Sequence, residues 1–72
     1  MDDKVILQTV ADNIRIERLR KRISQEKLAE RVGISTKYLN MIENCKANPS
    51  INIVIKICIV LELNLDVIYK VK

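Results

Sequence analysis

The sequence predicts an all-α domain of five helices, and three observations carry that prediction. Turn formers are scarce: the 72 residues include one Gly and one Pro, whereas an all-β chain needs a turn signal roughly every 8–12 residues. Ser24, Ser35, Ser50 and Asn64 each stand just ahead of a segment with apolar residues three and four apart, the position and pattern of a helix N-cap. Finally, the one segment that reads as a strand has no partner: there is no second β-rich run and no Asn-Gly or Asp-Gly turn.

Length and composition set the frame. Residues 1–72 are read as a single domain, with residues 1–9 extending the first helix at its N-terminal end. A domain of this size buries only about 60 per cent of its unfolded surface, so it cannot wall in a deep substrate cavity. Hydrophobic residues make up 49% and charged residues 31%, which suits a folded chain, and the formal net charge is +4. A basic surface of this kind fits nucleic acid, but it also fits simple solvation. There is no histidine, and Cys45 and Cys58 are the only thiols, so the chain holds no Cys/His zinc set. The pair suits reduced thiols, Cys58 in the core and Cys45 in a loop. No signal peptide follows Met1-Asp2-Asp3, and no apolar run reaches the roughly 20 residues of a membrane span. The expectation is a cytoplasmic protein with no membrane partner, no cofactor, no metal and no small-molecule ligand.

In the first segment Leu7, Val10, Ala11 and Ile14 recur at helical spacing, with Asp2 or Asp3 favouring the start. Arg18 continues the same stripe, and a charge on a core-facing line needs a partner. This helix should stop before Ser24. In SQEKLAERVG, Ser24 caps, Leu28, Ala29 and Val32 face inward, and Gly33 stops the second helix. ISTKYLNMIEN restarts at once, with Ser35 as cap and Leu39 and Ile42 inward. Two short helices around a tight Gly-containing turn are a helix-turn-helix.

INIVIKICIV, residues 51–60, has isoleucine at every odd position, the period of a strand. Ser50 before it and Asn64 after it bound a helix of about 11 residues instead. β-propensity spans only about 1 kcal/mol and yields to packing. The predicted inner face is Ile51, Val54, Ile57, Cys58 and Leu61, which leaves Ile53, Ile55 and Ile59 in excess. A fifth helix follows over residues 65–71.

On a helical wheel, Thr36, Lys37, Asn40, Met41 and Asn44 fall on one side of the third helix, opposite Leu39 and Ile42. Asn suits adenine, Lys suits guanine, and the Thr and Met carbons can touch a thymine methyl. Any surface helix shows such a face; this one stands second in a helix-turn-helix. Arg15, Arg18, Arg20, Lys21 and Arg22 crowd the first helix, either as phosphate contacts or as a solvated face. Glu43 lies toward the inner side of the third helix, and we expect it to pair with Arg18 across the core.

ISQEKLAERVGISTKYLNMIENCKANPS resembles the lambda-repressor/Cro-type (XRE) helix-turn-helix family. The Ser-Gln-Glu-x-Leu-Ala-Glu run, Gly33, Ile42-Glu43 and Asn48-Pro49-Ser50 fall in that family's register without gaps, and LELNLDVIY resembles the tail of the domain. The resemblance covers about residues 10–69. It implies a compact five-helix domain that binds double-stranded DNA, usually as a dimer, with the third helix in the major groove. It implies base-facing roles for Gln25, Thr36, Lys37, Asn40 and Met41, and phosphate contacts from Ser24, Asn44 and Lys46. It also implies an internal ion pair between Arg18 and Glu43. Two positions depart from the pattern. Cys45 stands where the family usually has glycine, so either Cys45 or Asn44 must take the left-handed conformation. Glu17 stands where many relatives have leucine, either exposed or paired with a basic neighbour such as Lys21.

The function expected is therefore a transcriptional regulator that binds a short palindromic operator as a homodimer. A protein-interaction module, antitoxin or adaptor, built on the same fold is the alternative. Nothing resembles an enzyme: there is no nucleophile with a base and no phosphate-cradling glycine loop. Ile59, Val67, Tyr69 and Val71 are the candidate dimer interface, an apolar set that could instead be partly covered by the chain ends.

Overall fold

A computed structural model describes residues 2–71 as five helices, with no strand among the described residues: α1 (Asp3–Arg20), α2 (Gln25–Val32), α3 (Thr36–Glu43), α4 (Ile51–Leu61) and α5 (Leu65–Tyr69). The helical reading of residues 51–61 holds, and α5 ends two residues before the predicted limit.

Capping explains where the helices begin. The Asp2 carboxylate accepts from the Lys4 N–H at 2.9 Å, and the hydroxyls of Ser24, Ser35 and Ser50 accept from the N–H groups of Lys27, Tyr38 and Ile53 at 3.1, 3.0 and 3.3 Å. Each bond satisfies a donor that the first turn leaves unpaired, worth about 1 kcal/mol. Asn64 holds the N-cap position of α5 but makes no side-chain cap bond.

The helix ends share a second device. α1 to α4 each close on a residue with positive φ: Arg22 at 55°, Gly33 at 88°, Cys45 at 61° and Glu62 at 58°. The N–H of the residue after each one reaches back to a carbonyl in the last turn: Ile23 to Arg18, Ile34 to Ala29, Lys46 to Met41 and Leu63 to Cys58. These are left-handed helix ends in the Schellman manner. Only one of the four uses glycine. Of the two alternatives after α3, Cys45 is left-handed, whereas Asn44 sits at φ −100°.

α1 packs against α5, α3 and α4, and α2 packs against α3 and α4. The core gathers Val10, Ile14, Leu28, Ala29, Val32, Leu39, Ile42, Val54, Ile57, Cys58, Leu61 and Ile68. Ile51 does not belong to it. It is 51% exposed, because it is the first residue of α4 and its side chain leans back over the N-terminal end, past the core edge. Ile53 packs partly against the core, while Ile55 and Ile59 remain exposed. Leu7 is half-buried, one turn short of the core. Burial pushes the Cys58 thiol above its ordinary 9.0.

One buried polar residue escaped the sequence reading. Asn13 lies between Val10 and Ile14 on the inner side of α1 and is 4% exposed. Its Nδ2 donates to the carbonyls of Ile68 at 2.9 Å and Lys70 at 3.0 Å, tying α5 to α1. The i, i+3 spacing from Val10 places it on the stripe, and that spacing is the signal that could have found it.

Candidate nucleic-acid interface

Gly33, Ile34 and Ser35 join α2 to α3. The αL glycine reverses the chain and Ser35 caps the next helix at once. This turn fixes α3 against α2, with Leu39 and Ile42 fully buried. The opposite side of α3 presents Thr36, Lys37, Asn40 and Asn44 to solvent, with Met41 half-buried beside them. None of these five side chains is acidic. The Asn44 amide is turned back on its own helix, donating to the Asn40 carbonyl at 2.8 Å.

An ion pair holds that helix from behind. Arg18 Nε donates to Glu43 Oε2 at 2.7 Å, and Nη2 donates to Oε1 at 3.0 Å. Arg18 also donates from Nη1 to the Ile23 carbonyl at 2.9 Å. The side chains are 11% and 2% exposed, so this is the pair across the core expected from the α1 stripe. Two-point geometry and the extra carbonyl bond offset part of the desolvation cost.

Gln25 continues the network outward. Its Nε2 donates to Glu43 Oε1 at 3.0 Å, and its Oε1 accepts from Asn40 Nδ2 at 3.3 Å. A chain of side chains thus runs from Arg18 through Glu43 and Gln25 to Asn40. Gln25, read from the sequence as base-facing, is here half-buried and bonded to both neighbours. Its position restrains Asn40, an effect that spacing alone could not reveal.

The predicted phosphate set is spread around this face. Ser24 spends its hydroxyl on the α2 cap, and Lys46 is exposed just beyond the left-handed Cys45. Several cations of α1 have internal partners. Arg15 pairs with Asp12 at 3.3 Å and donates to the Glu43 carbonyl at 3.3 Å, and Arg20 pairs with Glu17 at 3.2 Å. Glu17 therefore pairs three residues on, not with Lys21, and its side chain is 13% exposed.

The candidate dimer residues lie on α4, α5 and the segment after α5. Ile59 is 70% exposed, Tyr69 39% and Val71 47%, whereas Val67 is half-buried.

The sequence profile described as helix-turn-helix matches residues 14–68. Comparison with curated protein sequences gives no match. Among solved structures, the chain is similar to the restriction-modification controller protein C.AhdI from Aeromonas hydrophila: 25% identity, 88% of this chain and 96% of that one, TM-score 0.83. It is also similar to the hypothetical transcription factor NHTF from Neisseria: 25% identity, 96% of this chain and 79% of that one, TM-score 0.86. A chain of the SinR protein/SinI protein complex is 32% identical over 85% of this chain, with a TM-score of 0.77; the match spans 60% of that chain's length.

Proposed function

Because this chain belongs to the helix-turn-helix family of DNA-binding transcription regulators, we propose that it binds a short palindromic operator as a homodimer, with α3 in the major groove. The observation that carries this reading is the acid-free side of α3, held from behind by Arg18, Glu43 and Gln25. Thr36, Lys37, Asn40 and Met41 read base edges. Lys46 and the start of α2 at Ser24 meet phosphates, with Asn44 beside them. Gln25 acts by steering Asn40.

A palindromic operator requires two copies related by a two-fold axis. Ile59, Tyr69 and Val71, with half-buried Val67, supply the apolar surface for it. The likeness to the restriction-modification controller protein from Aeromonas hydrophila supports the regulator reading.

Selection of bound fragments from random duplex DNA, read by sequencing, tests the reading. A two-fold-symmetric motif is expected. Failure to enrich any motif would favour the adaptor or antitoxin alternative, to which the likeness to a chain of a protein–protein complex also speaks. Sedimentation of Ile59→Lys tests the dimer: a shift toward monomer is expected, and an unchanged dimer removes Ile59 from the interface.

A further inference from the structure

We propose that the turn between α1 and α2 carries a second DNA-backbone surface, separate from the base-facing side of α3. The inference rests on the reading that α3 enters the major groove. A shallow groove of about 440 Å³ is lined by Lys21, Arg22, Ile23, Ser24, Lys27 and Arg31. Four of the six are cationic and none is acidic. This sets the groove apart from α1, where Arg15, Arg18 and Arg20 are committed to Asp12, Glu43 and Glu17. Among the described residues, Lys21, Arg22 and Arg31 form no ion pair. Lys27 meets Glu30 at 3.5 Å, with both side chains more than half exposed, a geometry that holds a charge loosely. One carboxylate, Glu62, lines the adjoining notch with Lys21, Ile23 and Arg31.

Four like charges around one concave surface repel one another, and an anion laid along it relieves that repulsion. Arg22 adds to the cluster from a left-handed residue at φ 55°, where glycine would sit free of strain. The groove is open rather than enclosing, so it suits a polyanionic backbone running past it better than a small anion held on all sides. Its position matches. Ser24 lines it, and the next residue, Gln25, is bonded to Asn40 on the base-facing helix. The groove and the helix-turn-helix therefore adjoin at the start of α2. Guanidinium and ammonium groups are the donors that phosphates take.

The test compares two variants that each remove two positive charges. Arg22→Gly with Arg31→Gln strips the groove, and the glycine suits its backbone. Lys4→Gln with Lys56→Gln removes the same charge elsewhere. Binding to the selected operator is measured over a range of salt. The groove variant should enrich the same motif as the wild type but show a salt slope shallower by about 2, and the control should keep the wild-type slope. A groove variant with the wild-type slope would overturn the proposal and leave the groove to an acidic protein surface. A control that loses as much slope would overturn it too, assigning the effect to overall charge. If the wild type enriches no motif at all, the reading of α3 fails and this inference with it.

Discussion

Arg18 and Glu43 face each other across the core through two charge-assisted hydrogen bonds, 2.7 and 3.0 Å long, between the last turn of α1 and the last residue of α3. The pair is almost dry, so removing one member strands the other. Glu43→Ala should cost roughly 3–5 kcal/mol of folding stability by urea denaturation. Replacing both with apolar residues, Arg18→Met with Glu43→Leu, should recover most of that loss while freeing Gln25 from one of its two partners. A single variant within about 1 kcal/mol of wild type would mean that the pair is not the buried unit described.

Lys37 is exposed on the side of α3 that carries no acid. Lys37→Ala should weaken operator binding by about 1–3 kcal/mol and relax preference at one or two base pairs. Competition with single-base operator variants measures this. Equal loss on operator and random DNA would instead assign Lys37 to a phosphate.

Asn13→Ala removes the donor that serves two carbonyls of the C-terminal segment. Each buried carbonyl left without a partner costs about 1–3 kcal/mol. Amide exchange across residues 65–71 should quicken before the rest of the domain loosens, and sedimentation should show a weaker dimer. Exchange at wild-type rates would show that packing of Ile68 alone holds α5.

Cys45 occupies a left-handed position with a side chain that the position disfavours. Cys45→Gly should raise stability by about 0.5–1 kcal/mol, read as a higher melting temperature. A lower one would mean that the Cys45 side chain contributes more by packing than its backbone costs.

Burial raises the Cys58 thiol above 9.0 in the folded state. Below that pH both states keep the proton, and the contribution is fully present. As pH rises from 9.0 toward the folded value, the unfolded chain ionises first, so this contribution falls. Stability should therefore drop more steeply with alkaline pH in the wild type than in Cys58→Ala. Parallel pH profiles would exclude the effect.

The serine caps, the Gly33 stop and the Arg18–Glu43 pair were legible in the sequence because each follows from contacts within a turn or from a stripe that carries one charge. Ile51 was misplaced because periodicity describes an endless helix, and the first residue of α4 projects past the core. Asn13 was passed over because an apolar pattern skips polar residues, although it lies on the stripe. The choice of Cys45 over Asn44 at the left-handed position depends on the bonds made by Lys46 and Cys45 to the preceding turn, which composition does not encode. The Gln25–Asn40 contact joins two helices across their turn, and the wheel treats each helix separately.

The bonds from Asn13 to Ile68 and Lys70 join residues 55 and 57 positions apart. On a ribosome, α1 is made first, yet its inner side is completed only after residue 68 has been added. Until then Val10 and Ile14 lack one wall of their packing, and Asn13 bonds to water. The helix-turn-helix can form from local contacts before that moment, but the packing around α1 is complete only once the segment through Lys70 has left the exit tunnel.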